Sequence, residues 1–188
     1  MLHCRGAEVV GKEGGPPDTI RALLEEGERY LQQGDLEEAM GVFREAVARA
    51  PESALAHSKL GVVYARQGRY AEALAELERA KQLGPHIPSI YSNIGNVLLE
   101  MGKVEEAIAA YQRAIELDPN YWIAHQNLGI AYKRMGRIDL AVSEFKKATR
   151  LSLRQPPAGG RRGALGCFPT LLAVCLLLLF SVFVFLAG

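Results

Sequence analysis

The side chains able to do chemistry in this 188-residue chain are four histidines, three cysteines and recurring pairs of carboxylates. A structural zinc would need thiolates and imidazoles at short fixed spacings. Cys4, Cys167 and Cys175 form no such pair, and none falls in the repetitive interior of the chain, so neither a metal framework nor a disulfide framework is expected. General acid–base or nucleophilic work needs a base and its partner to converge. His57 and His125 are 68 residues apart, and so are the pairs Glu37-Glu38 and Glu105-Glu106. That separation is twice a period of 34 that runs through the interior, so these residues occupy equivalent places two units apart. With helix layers about 10 Å apart they stand roughly 20 Å from each other, too far to share a metal or a substrate. His3 sits in a glycine-rich lead and His86 follows Pro85 in an expected turn. No glycine-rich phosphate loop follows a strand. No enzyme, no cofactor and no metal site is expected.

The period itself organises the rest. Glycines fall at 27, 61, 95 and 129 and again at 34, 68, 102 and 136, alanines at 39, 73, 107 and 141 and at 46, 80, 114 and 148, and prolines at 51, 85 and 119. Phased positions across successive units mark an array of structural repeats, here 20–53, 54–87, 88–121 and 122–155. Only the fourth proline is missing, replaced by Leu153.

Each unit reads as two helices. In the third, Ile90, Ile94, Val97, Leu98 and Met101 keep helical spacing as far as Gly102, where a turn breaks the pattern. A second helix starts near Val104, carries Val104, Ala107, Ile108, Tyr111 and Ile115 on its apolar stripe, and stops before Pro119, which cannot donate a backbone hydrogen bond. Gly95 and Ala107 let the paired helices approach closely, and Tyr111 with Ala114 is expected to fill the gap to the next pair. The glutamate pairs then fall at exposed starts of second helices, favourable near the positive end of the helix dipole.

Tyr91, Ile94-Gly95, Leu98, Gly102, Ala107, Tyr111, Ala114 and Pro119 in the third unit resemble the tetratricopeptide repeat. The fourth unit supplies His125, Leu128-Gly129, Tyr132, Gly136, Ala141, Phe145 and Ala148. The first keeps Tyr30, Gly34, Ala39, Phe43, Ala46 and Pro51 but has Glu26 before Gly27. The resemblance implies an all-α, right-handed solenoid of about four tetratricopeptide helix pairs, whose first helices line a concave groove that binds a protein or peptide. By that geometry the partner-binding residues are Ser92, Asn93 and Asn96 in the third repeat and Gln126, Asn127, Ile130, Lys133 and Arg134 in the fourth. An amide at Asn93 or Asn127 can both donate to and accept from a peptide backbone. No succession of Lys and Asn across three repeats matches the carboxylate clamp with which some family members hold acidic chaperone tails.

A net charge of +1 gives no global reason to expect nucleic acid. The distribution is uneven: the first repeat carries four basic and eight acidic residues, the fourth seven basic and two acidic. The basic fourth repeat, with Lys146, Lys147 and Arg150, suits a solvated face near anionic lipid in preference to the alternative, an acidic protein ligand.

Residues 1–19 read as a disordered lead without a secretory apolar run. Residues 156–166 read as a Pro/Gly/Arg linker and 167–187 as a transmembrane helix. Pro169 to Ala187 is free of charge over 19 residues, about 28 Å as a helix and close to the hydrocarbon thickness of a bilayer. Arg161 and Arg162 precede that run, so the array is expected in the cytoplasm, on a single-pass, C-terminally anchored chain. The function expected is a membrane-tethered scaffold or adaptor; the alternative is a structural subunit of a membrane complex assembled through its transmembrane helix. Because the last repeat lacks a capping helix, the isolated array, residues 20–155, is also expected to self-associate through it or to be less stable at its C-terminal repeat.

Overall fold

Reversals between paired helices are built on glycine. The computed structural model describes residues 17–154, and within them Gly34, Gly68, Gly102 and Gly136 have φ of 91°, 76°, 79° and 74°, a region where a Cβ would clash with the following carbonyl. The N–H of Arg69 reaches back to Tyr64 O, and that of Lys103 to Leu98 O, both at 2.9 Å, closing the preceding helix around its glycine. The helices so bounded are α1 (Pro17–Gln33), α2 (Leu36–Arg49), α3 (Ala54–Arg66), α4 (Tyr70–Leu83), α5 (Pro88–Glu100), α6 (Val104–Leu117), α7 (Trp122–Arg134) and α8 (Ile138–Ser152). Glu37 and Glu38 open α2, and Glu105 and Glu106 open α6, all exposed.

Four antiparallel pairs stack in chain order, with α2 on α3, α4 on α5 and α6 on α7. The odd-numbered helices also touch in series, α1 to α3 to α5 to α7, whereas no two of α2, α4, α6 and α8 meet. The odd helices therefore form the inner wall of a curved stack.

Small residues set the spacing within a pair. Ala39, Ala73 and Ala107 are fully buried. A Cβ on Gly95 would lie 2.5 Å from Tyr111 Cε1, and one on Gly129 would lie 2.6 Å from Phe145 Cε1. Tyr111 was expected to fill the gap to the next pair; its ring instead lies on Gly95 of its own pair, because only a glycine leaves room for an aromatic between helices this close.

Between pairs, a side chain on each of α3, α5 and α7 ties down the carbonyl of the preceding proline. His57 Nε2 faces Pro51 O at 3.0 Å, Tyr91 Oη donates to Pro85 O at 2.9 Å, and His125 Nε2 faces Pro119 O at 3.2 Å. The other imidazole nitrogens face Glu76 Oε2 at 2.7 Å and Glu144 Oε2 at 2.6 Å. Each histidine thus fastens a turn, an inner helix and an outer helix together, and both its ring nitrogens are engaged.

Two boundaries differ from those read in the sequence. Residues 17–19, assigned to the lead, belong to α1, and α8 ends at Ser152, where the compact unit also ends. The rest of the lead, the linker and the 167–187 span lie outside the described residues. Among the described residues, no helix is long and apolar enough to cross a membrane.

Candidate functional site

A bond repeated with an offset of 35 residues joins neighbouring inner helices. Asn93 Nδ2 donates to Ser58 Oγ at 3.2 Å, and Asn127 Nδ2 donates to Ser92 Oγ at 3.2 Å. Arg66 Nη1 donates to Leu31 O at 2.9 Å and Arg134 Nη1 to Leu99 O at 2.8 Å, again 35 residues back. Helices α3, α5 and α7 hold these residues in register because each packs on the one before it through the same positions. In the first joint the corresponding place is taken by the ion pair of Lys59 with Glu28.

At the centre is Asn96. Its Oδ1 accepts from Tyr111 Oη at 2.8 Å and from Asn127 Nδ2 at 2.9 Å. Burial pushes the Tyr111 phenol above its ordinary value, against the pull of the Arg134 charge, so the hydroxyl stays a donor and fixes which way the amide faces. With both bonds on the oxygen, Asn96 keeps its Nδ2 donors for a ligand. Asn93 directs one Nδ2 donor to Ser58, which orients the amide, and its Oδ1 remains an acceptor.

Asn93, Asn96, Arg66, Glu100, Val62 and Tyr70 line a cavity of about 530 Å³ between α3 and α5. Arg134 Nη2 donates to Glu100 Oε1 at 2.9 Å, so a carboxylate and two guanidinium groups border the same wall. The arrangement can offer a donor, an acceptor and charges of both signs to an extended chain, and it presents no nucleophile beside a base.

Six of the eight expected groove residues are exposed or half-buried on the inner wall: Asn93, Asn96, Asn127, Ile130, Lys133 and Arg134. Two expectations are corrected. Ser92 is 1% exposed and accepts from Asn127, so it is a joint between repeats and cannot meet a partner. Gln126 holds the same register position in the last repeat, which faces the next unit in the stack; it lines a separate cleft with Trp122, Phe145 and Thr149. Asn127 also differs from expectation, since its two amide donors go to Ser92 and Asn96, and Asn93 gives one of its two to Ser58. Glu100 and Tyr111 were missed. Glu100 was legible as a member of the column Gln32, Arg66, Glu100 and Arg134, spaced by the period of 34; the Tyr111 hydroxyl has no sequence signal, because Phe43 and Phe145 fill the same place without it.

Family profiles described as tetratricopeptide repeat match residues 24–86 and 124–154, and one described as TPR repeat matches 95–136. No curated protein matches the chain. Among solved structures, a crystal structure of MamA is 31% identical and superposes with a TM-score of 0.59 over 73% of this chain and 80% of that one. PilF of Pseudomonas aeruginosa is 30% identical, with a TM-score of 0.66 over 74% of this chain and 64% of that one. A MamA from Desulfovibrio magneticus RS-1 is 27% identical, with a TM-score of 0.60 over 72% and 77%. The phased glycines, the stacked pairs they make possible and these matches lead to one family: the chain belongs to the tetratricopeptide repeat proteins.

Proposed function

We propose that this chain is a protein-interaction scaffold that takes a peptide or protein segment into its concave groove and holds it at a membrane. The observation that carries the reading is the matched pair of Asn96 donors and Asn93 acceptor in a cavity of about 530 Å³. An extended backbone presents one donor and one acceptor per residue, and amides held in fixed orientation meet it without ordering themselves on binding. Arg66, Glu100 and Arg134 favour a segment with charges of both signs. A binding rather than catalytic role is supported by His57 and His125, whose ring nitrogens are all used between helices and turns.

The tether rests on sequence: Pro169 to Ala187 carries no charge, and Arg161 and Arg162 stand before it, which favours the array in the cytoplasm. Holding the array at a surface raises the effective concentration of partners there, so a modest groove affinity suffices.

The test is capture by the chain and by an Asn96→Ala variant, with identification of what is retained. A scaffold of this kind retains a defined protein that Asn96→Ala loses and that an outer-face variant such as Arg113→Ala keeps. Equal retention by all three would refute the groove. Exchanging residues 167–187 for an unrelated apolar helix should leave that partner bound.

A further inference from the structure

We propose that the exposed face of α8 docks on an anionic lipid surface. The helix buries Ala141, Ala148 and Leu151 against its neighbour. At 100° per residue, Ile138, Val142 and Thr149 fall on another stripe, edged by Phe145, whose ring lies against Gly129 of its own pair, and Ile138 and Val142 are 54% and 44% exposed. One period earlier, Val104, Ile108 and Ile115 hold the register of Ile138, Val142 and Thr149 on α6 and are all half-buried, and α7 packs on α6. Among the described residues no helix follows α8.

Lys146 and Arg150 border the stripe, and neither has an ion pair among the described residues; Asp139 is the acid beside them, and Lys147 is paired with Glu144 at 2.7 Å. The surface is therefore apolar with a cationic margin, and that combination selects its occupant. Two copies meeting face to face would set Lys146 and Arg150 against their own images. Two copies meeting head to tail would bring in the acidic first repeat, but α1 and α2 expose no large hydrophobic residue among those described, so the stripe would stay unmatched. An anionic bilayer answers both features, since the apolar side chains enter the headgroup boundary while lysine and arginine meet phosphates and carboxylates.

Docking does not require the tether, but the tether would favour it. Some 16 residues separate Ser152 from Pro169 in the sequence.

Trp122 is the single tryptophan of the chain and lines a cleft of about 320 Å³ with Phe145, Ala148 and Thr149, so its fluorescence reports on this end of the stack. The experiment reconstitutes the full chain with vesicles of phosphatidylcholine alone, and of phosphatidylcholine with about 30% phosphatidylserine. Flotation and Trp122 emission are read together, with and without bromolipid. The expected result is flotation with both, and a blue shift with bromolipid quenching only where phosphatidylserine is present. Lys146→Glu and Arg150→Glu, both at exposed sites, should weaken that response by at least about fivefold each, and about 0.5 M salt should suppress it. Identical emission in the two vesicle types overturns the docking and leaves the tether standing. Flotation with the phosphatidylserine vesicles alone removes the tether and supports the docking, and flotation with neither overturns both. A shift that grows with protein concentration in the absence of lipid means that a second copy covers the stripe, and overturns the proposal.

Discussion

Gly95→Ala and Gly41→Ala make the same chemical change in two helices and should move stability in opposite directions. Each replaces glycine inside an α-helix with the best helix former, a gain of about 1 kcal/mol. At Gly41 a new Cβ meets nothing within 4 Å, so the gain should appear in full. At Gly95 it would stand 2.5, 2.8 and 2.9 Å from three atoms of the Tyr111 ring. The ring is fully buried and its hydroxyl is held by Asn96 at 2.8 Å, so it cannot swing aside. It must recede by roughly 1 Å, and overpacking of that kind costs about 1–3 kcal/mol. The propensity term is common to both variants, so the separation between their unfolding free energies isolates the clash, about 1–3 kcal/mol with Gly95→Ala the weaker. Urea unfolding followed by circular dichroism at unchanged slope measures it. Placing Gly95→Ala in a Tyr111→Ala background should remove the penalty, as expected for residues that couple directly. Equal midpoints for the two single variants would refute the account of how an aromatic and a glycine set the spacing of a pair.

Asn127→Ala removes bonds to both Ser92 and Asn96 and should cost about 1 kcal/mol of stability as well as groove affinity; hydrogen exchange should locate the loosening between the third and fourth repeats, and a variant that loses affinity with unaltered exchange would contradict the joint. The Glu144 carboxyl is opposed by burial but lowered on balance by hydrogen bonds from Lys147 and His125. A depressed carboxylate contributes stability above its unfolded value of 4.5 and loses it as pH falls through the lower folded value. The wild type should therefore lose its advantage over Glu144→Gln as the medium is acidified below about 4.5, and thermal melts across that window should show the two converging. His125→Leu removes the bond to Pro119 O and leaves Glu144 with Lys147 alone; it should destabilise by about 2–3 kcal/mol, more than Tyr91→Phe, which gives up one exposed bond.

The helices were legible because the same few constraints recur along the chain. Glycine at 34, 68, 102 and 136 had to be a reversal of the chain, and an alanine or glycine in phase had to be a close contact. The groove was legible only as a face. Helical phase places Ser92 and Asn93 side by side, and nothing in their chemistry says that one will be sealed against the next repeat while the other stays half open. That outcome follows from the advance of one residue between partners across each joint, which is a property of how helices nest. Likewise, two amides and a serine look like free hydrogen-bonding groups in a sequence, and their mutual satisfaction is visible only when neighbouring inner helices are set side by side. The histidines show the converse: periodicity ruled out their convergence, but not that each would fasten a proline carbonyl to an outer helix.

Because Ser58 receives Asn93 in the same way that Ser92 receives Asn127, the seams are interchangeable couplings. Excising residues 88–121 would present Asn127 to Ser58 and Arg134 to the carbonyl of Ala65, restoring a seam of the kind that was cut. The length of the groove is thus a copy number, adjustable by whole units without redesign of the stack. Asn96 and Tyr111 would leave with the excised unit, so, on the proposed reading of the groove, a shortened array should stand and yet lose its ligand.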